Sequence, residues 1–254
     1  MMTARYYAPH LTDGDSCELE GAELHHLSRV MRAARGEQVV LFDGNGTVAE
    51  AEIIDLSKSR ASLRILKRTS EPQEGRVVVL ATAVPKSDRF RWLVEKATEL
   101  GVSRLIPLQT ARSITEPGST KLDKMRATVI EACKQSGRNH LMTIDPLTEW
   151  QSFLSEAPLT GRLIVADPSG APGPALRETR QGCEMSQGQR PLVLVVGPEG
   201  GLTDAEVTQA REAGGCCVSL GPRILRTETA AIALAALYLL PALDPSPGPI
   251  KSEK

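Results

Sequence analysis

Apolar residues follow two different rhythms along this chain, and the change falls near residue 75. Leu24, Leu27, Val30 and Met31 recur at helical spacing, which predicts a helix stopped by Gly36. Gln38–Phe42 and Thr47–Leu56 are β-like runs flanking Asp43-Gly-Asn-Gly46, a hairpin signal. Ala61, Leu63 and Ile65 alternate with polar residues and predict a third strand. Short strands joined by tight turns imply a small β-barrel with one helix. The polar stretch Thr69–Gly75, with its Pro and Gly, reads as a linker.

Beyond residue 75 strands alternate with helices. Arg76–Val84, Val102–Leu108, Arg162–Ala166, Pro191–Val196 and Cys216–Leu220 are apolar runs of strand length. Between and after them, amphipathic or apolar helices are predicted over Asp88–Leu100, Lys121–Ser136, Thr203–Ala213 and Thr227–Leu240, with Gly101 and Gly137 as stops. Such alternation predicts an α/β unit with a mostly parallel sheet covered on both faces. Residues 167–190 read as a long Pro- and Gly-rich loop, and the tail from Asp244 as disordered.

Composition narrows the class. A chain of 254 residues with 41% hydrophobic and 24% charged residues is ordinary globular material and large enough to close a core without disulfides. Its five cysteines form no CxxC pair, as expected for reduced thiols in the cytoplasm. The first ten residues contain no apolar h-region, so no secretory signal is expected. The longest apolar run, Ala230–Leu240, is too short for a bilayer, so no membrane role is expected. Net charge is only −1, yet residues 76–143 carry 12 Lys/Arg against 6 Asp/Glu. That block is either a solvated helix face or a surface for a polyanion. Aromatic residues make up 3% of the chain, too few for a surface that stacks several bases.

Two glycine-rich turns are the strongest chemical signals. In Leu192–Thr203 a buried strand runs into Gly197-Pro-Glu-Gly-Gly201 and then a helix whose start carries Thr203 and Glu206 in capping-box spacing. The glycines allow close approach to the backbone. The carboxylate of Glu199 suits a cationic or hydroxyl-bearing ligand better than a phosphate. The same turn is also an ordinary strand-to-helix connection. Ser219–Ala230 repeats the plan: a strand, a Gly-Pro turn, two arginines (Arg223 and Arg226), and Thr227 placed to cap the last helix. Two such loops at neighbouring strand ends predict a ligand crevice at the carboxyl edge of a parallel sheet.

Other motifs exclude more than they suggest. Gly44-Asn-Gly46-Thr-Val-Ala49 matches a dinucleotide pattern but precedes a strand, so it reads as a hairpin turn. There is no GK[ST] and no Gly-x-Ser-x-Gly. His25 and His26 are adjacent, point to different faces and have no Cys or Asp cluster nearby, so no metal is expected. Cys216 and Cys217 read as core. Lys86, Arg89, Gln135 and Arg138 lie in the basic block, and Arg29, Arg32 and Arg35, three residues apart, share one face of the first helix. Together they form a discontinuous track for phosphates.

Four motifs occur together and in order: Lys86-Ser-Asp-Arg89 with Leu93–Val102, Glu131–Arg138, Gly197–Gly201 and Leu220–Ala230. With Arg5-Tyr-Tyr7, His26–Arg32 and Leu41–Gly44 they resemble the RsmE family, 16S ribosomal RNA uridine-N3 methyltransferases of the SPOUT superfamily. The resemblance implies a PUA-like RNA-binding β-barrel over residues 1–72, a SPOUT-type parallel-sheet domain with a trefoil knot over 73–243, and a tail over 244–254. It further implies a cytoplasmic homodimer with the active site at the subunit interface, acting on the decoding region of 16S rRNA in the small ribosomal subunit. S-adenosyl-L-methionine would be held by Ala166, Asp167, Val196, Gly197, Glu199, Gly200, Gly201, Leu220, Gly221, Leu225, Arg226 and Thr229. Arg226, Arg112 and Glu199 would be the catalytic groups. RNA would be contacted by Arg29, Arg32, Lys86, Arg89, Gln135, Arg138 and Arg223. The alternatives are a ribosome-associated RNA-binding protein without catalysis, a SPOUT methyltransferase acting on another RNA, and a nucleotide-dependent α/β enzyme, the last disfavoured by the missing P-loop and by Glu199.

Overall fold

The computed structural model describes residues 4–11, 14–72, 76–86, 88–115, 117–171 and 191–240. The expected tail at 244–254 and most of the expected 167–190 loop lie outside them.

The first unit contains β1 (Arg5–Tyr7), β2 (Ser16–Leu19), α1 (Gly21–His25), β3 (Gln38–Phe42), β4 (Thr47–Leu56) and β5 (Ala61–Ser70). Its strands form one sheet in the order β1-β3-β4-β5-β2, with β1 parallel to β3 and the other pairs antiparallel. All five strands contribute to a single cluster that includes Tyr6, Leu19, Leu41, Ile53 and Leu63, so the sheet curls around its own core. The expected first helix is shorter than its apolar spacing suggests. A π-helical turn at His26–Val30 closes it through a bond from Met31 N to His26 O, and Arg32 adopts a left-handed φ of 53°. Leu24 and Leu27 are buried, but Val30 and Met31 are 59% and 51% exposed. Arg29, Arg32 and Arg35 therefore do not share a helical face, because the helix has ended before Arg32.

The second unit is β6 (Val78–Ala83), α2 (Asp88–Leu100), β7 (Arg104–Gln109), α3 (Ser119–Ser136), β8 (Thr143–Ile144), β9 (Thr148–Glu149), α4 (Trp150–Thr160), β10 (Arg162–Ala171), β11 (Leu192–Val196), α5 (Asp204–Glu212), β12 (Cys216–Val218) and α6 (Thr227–Leu239). Its sheet runs β12-β10-β11-β6-β7-β8, with β9 also on β7, and every pairing is parallel. Alternation along the buried strands feeds two cores. Val78, Leu80, Leu192, Leu194 and Val196 pack with Phe90, Leu93, Val129 and Leu234 from α2, α3 and α6. Val79, Ala81, Val193 and Val195 pack on the other face with Trp150, Phe153, Val207 and Ala210 from α4 and α5. Gly101 and Gly137 follow α2 and α3 with φ of 101° and 80°, as their positions predict. β10 continues to Ala171, so residues 167–171 are strand where a loop is expected.

The two units share a fixed seam. Phe42 joins the core of the second unit. Asn139 gathers bonds from three directions: Arg5 Nη2 donates to its Oδ1, its Nδ2 donates to Glu71 Oε2 at 2.6 Å, and Gly46 N donates to its carbonyl at 3.1 Å. A side chain at Gly46 would lie 2.3 Å from the Glu71 carbonyl, so the hairpin can approach only as glycine. Lys134, buried, donates to Glu23 and Glu131 and faces His26 Nδ1. No described helix is long and apolar enough to cross a membrane.

Candidate active site

The C-terminal ends of β10, β11 and β12 open side by side, because parallel strands direct the turns that follow them to the same edge of the sheet. Between these turns and the first turn of α6 lies a cavity of about 290 Å³. It is lined by Ala166 and Asp167 from β10, Val196 at the end of β11, Gly197, Glu199, Gly200 and Gly201 from one loop, and Leu220, Gly221 and Leu225 from the other. Every residue expected to hold the cofactor is there except Arg226 and Thr229. Thr227 and Ala230, three residues apart on the inner face of α6, occupy the helix wall instead, and the intervening Thr229 is turned to solvent. Arg226 is the extended N-cap residue of α6 and is exposed. Pro168, Ser219, Pro222 and Ile224 complete the loops, and Arg223, expected to meet RNA, lines the cavity as well.

Both loops are held from outside. Gly197 packs so closely that an added Cβ would stand 3.0 Å from Leu202. Thr227 does not cap α6; its hydroxyl donates to the Gly197 carbonyl at 3.2 Å and ties the helix to the loop. Gly201 closes a turn onto the Pro198 carbonyl at 2.8 Å with a φ of 70°. The predicted capping box is present: Thr203 Oγ1 accepts from Glu206 N, and the Glu206 carboxylate accepts from Thr203 N. Arg112, 88 residues away in sequence, donates from Nη1 to the Gly200 carbonyl at 2.7 Å, so it braces the loop from its outer side. Asp167 Oδ1 accepts from the Ser169 backbone at 2.8 Å, shaping the end of β10.

The expected phosphate track divides. Lys86, Gln135, Arg29 and Arg32 are exposed. Arg138 is committed to structure: its Nη1 donates to the Thr98 and Val102 carbonyls at 2.9 and 2.8 Å, closing the C-terminal end of α2, and burial lowers its pKa. Arg89 lies within ion-pair range of Glu199 and Glu228. A charge is visible in the sequence, but the partner that engages it is not. A larger cavity of about 640 Å³ lies at the seam, between the 43–45 hairpin and α3. It lies apart from the ends of β10, β11 and β12, beside β8, and is edged by Asp43, Asp123 and Asp145, with Arg126 as its cation. Among the described residues no cluster of His, Cys, Asp and Glu is arranged to hold a metal.

The smaller cavity offers a compact ligand carboxylates, apolar wall and open backbone. Glu199 and Asp167 provide carboxylates, Val196, Leu220 and Leu225 provide apolar wall, and the glycines leave the backbone accessible. Those features match the requirements of S-adenosylmethionine, the cofactor expected from the resemblance.

Comparison with known proteins gives the family. An RNA methyltransferase domain model matches residues 72–239, and an RNA methyltransferase PUA domain model matches residues 19–66. The ribosomal RNA small subunit methyltransferase E of Bacillus subtilis is 35% identical over 240 residues, 92% of this chain and 91% of the relative. That of Mycobacterium tuberculosis is 34% identical over 249 residues, 94% of this chain and 93% of the relative. Among solved structures, the Neisseria gonorrhoeae ribosomal RNA small subunit methyltransferase E bound to S-adenosyl methionine is 32% identical with a TM-score of 0.81, covering 92% of this chain and 96% of that one. A putative methyltransferase from Legionella pneumophila, also in complex with S-adenosylmethionine, is 30% identical with a TM-score of 0.81, covering 94% and 97%. The chain belongs to the RsmE family of ribosomal RNA small subunit methyltransferases.

Proposed function

We propose that this enzyme methylates N3 of a uridine in the decoding region of 16S rRNA, with S-adenosylmethionine bound in the cavity between the 197–201 and 219–225 loops. The observation that carries this reading is the meeting of two glycine-rich loops at adjacent parallel strand ends, on a chain whose relatives are solved with that compound. When bound, the cofactor supplies an electrophilic methyl group on a sulfonium cation.

Uracil N3–H is an imide that keeps its proton at neutral pH, so N3 becomes nucleophilic only as that proton leaves. The protein's tasks are to align N3 with the methyl group and to stabilise negative charge developing on O2 and O4. Arg226, exposed at the start of α6, would take the second task. Arg112 acts from behind, by fixing the loop that carries Glu199. The exposed Lys86, Gln135, Arg29 and Arg32 would meet phosphates.

We also propose a cytoplasmic homodimer whose subunits meet at the mouth of the site, with residues 1–72 as the RNA-holding unit and 73–243 as a knotted catalytic unit. Ile224, 94% exposed on the 219–225 loop, and Ile114, 72% exposed on the segment whose Arg112 bonds the Gly200 carbonyl, are apolar surface suited to such a meeting. Mass mapping of 16S rRNA from a deletion strain tests the target: the N3-methylated uridine should be absent and return on complementation. Its persistence would refute the assignment.

A further inference from the structure

One arginine at the start of α2 stands between the 197–201 loop and the first turn of α6, the elements that carry two walls of the cavity. Arg89 Nη1 lies 3.8 Å from Glu199 Oε1, and Arg89 Nε lies 3.8 Å from Glu228 Oε1. Glu199 belongs to the loop after β11, and Glu228 to the first turn of α6. The Glu228 side chain is only 9% exposed, and its Oε2 has no hydrogen-bond partner. Burying a carboxylate is costly unless a countercharge stands close, and among the described residues Arg89 is the cation within ion-pair range of it. Without that guanidinium, the Glu199 and Glu228 carboxylates would repel one another. A planar guanidinium can present separate N–H groups to two carboxylates, which the single ammonium of lysine does less well. A neutral strap lies beside this ionic one: Thr227, the neighbour of Glu228, donates its hydroxyl to the Gly197 carbonyl.

We propose that Arg89 is a positioning residue for the methyl donor. It sets the spacing between the 197–201 loop and the first turn of α6, acting through Glu199 and Glu228, in place of the phosphate contact expected for it. This inference rests on the reading of the cavity as the S-adenosylmethionine pocket.

The test uses the full chain and the variants Arg89→Gln, Arg89→Lys, Glu228→Gln and the double variant Arg89→Gln/Glu228→Gln. S-adenosylmethionine affinity is measured by calorimetry, and binding to protein-free 16S rRNA is measured across a salt series. Thermal melts ensure that affinities are compared where every variant is folded. Arg89→Gln should raise the dissociation constant for S-adenosylmethionine about tenfold, a weakening of about 1.4 kcal/mol. Arg89→Lys should recover part of it, and the double variant should bind no worse than Arg89→Gln alone, because the uncompensated carboxylate has gone. The slope of RNA affinity against salt should be that of the wild type. Unchanged donor affinity in Arg89→Gln, with a salt slope shallower by about one phosphate contact, would overturn the proposal in favour of a phosphate contact. Unchanged donor affinity with an unchanged slope would overturn it outright. A wild-type protein giving no heat with S-adenosylmethionine would remove the pocket reading itself, and the role of Arg89 with it.

Discussion

The Glu206 carboxylate accepts a hydrogen bond from the backbone N–H of Ala111 at 2.8 Å, across 95 residues of chain. Its other oxygen takes the Thr203 backbone and hydroxyl at 2.8 and 3.0 Å. One buried side chain thus completes the capping box of α5 and fixes the start of the loop that carries Arg112 onto Gly200. Glu206→Gln replaces one acceptor by an amide donor and leaves a buried N–H facing it. We expect a loss of about 1–3 kcal/mol of stability. Weaker S-adenosylmethionine binding should accompany it as the loop loosens. Denaturant unfolding and calorimetric titration read the two effects, and wild-type values in both would show the bond to be incidental.

Arg226 presents its side chain to solvent at the N-cap of α6 and makes no capping bond with it. Arg226→Ala should therefore leave the melting curve near that of the wild type. If Arg226 stabilises charge on the uracil oxygens, single-turnover methylation should slow by about 10²-fold, as when an oxyanion donor is removed. Near-normal turnover would exclude it from the chemistry.

The seam between the units depends on a buried cation. Lys134 Nζ sits 3.2 Å from both Glu23 oxygens and 3.0 Å from Glu131 Oε1, and lies 5.8 Å from the centre of the Tyr6 ring. Lys134→Met should cost about 3–5 kcal/mol, because Glu23 is left largely buried without its countercharge. Adding Glu23→Gln should restore part of that loss. Urea unfolding of the three proteins measures it, and an additive double variant would mean that the pair is not coupled.

Alkaline pH should weaken the fold. Burial raises the Cys133 thiol from 9.0 to about 11, and burial, followed by the nearby charge of Glu23, raises the Tyr6 hydroxyl from 10.0 to about 12. Both groups keep their protons in the folded chain at a pH where the unfolded chain has released them. The stability linked to each is complete below its unfolded value and is lost as pH rises through the folded one, a window from about 9 to 12. Melting temperature should fall progressively across that window, and Cys133→Ala should flatten its lower part. A melting temperature that stays level up to pH 11 would contradict this.

The elements legible in the sequence are those whose evidence is local. Asp88–Leu100 begins and ends where its amphipathic spacing and Gly101 place it, and the Asp43–Gly46 turn joins the two strands that flank it. The elements not legible are short or carry mixed signals. β1 is three residues long and exists because it pairs in parallel with β3 more than thirty positions away. α4 contains Pro158, yet Trp150, Phe153 and Leu154 bury one helical face against the sheet. That spacing was the available signal. The glycine loops are visible because Gly201 and Gly221 take a positive φ and Gly197 packs against Leu202, conditions that favour glycine. The exchange of Thr229 for Thr227 and Ala230 depends on the rotational setting of α6, which packing decides.

By itself the sequence marks two units, a mostly parallel sheet covered on both faces, and a pair of glycine-rich loops at 197–201 and 220–225 where a crevice is expected. Hydrophobic period and glycine placement are properties of neighbouring residues, so they survive without the fold. Tertiary structure alone decided which arginines are committed: Arg138 to the carbonyls of Thr98 and Val102, Arg112 to that of Gly200, and Arg89 to Glu199 and Glu228. A guanidinium carries the same charge wherever it stands in the chain. Its role is set by the acceptors that folding brings beside it, and here those acceptors come mostly from tens of residues away.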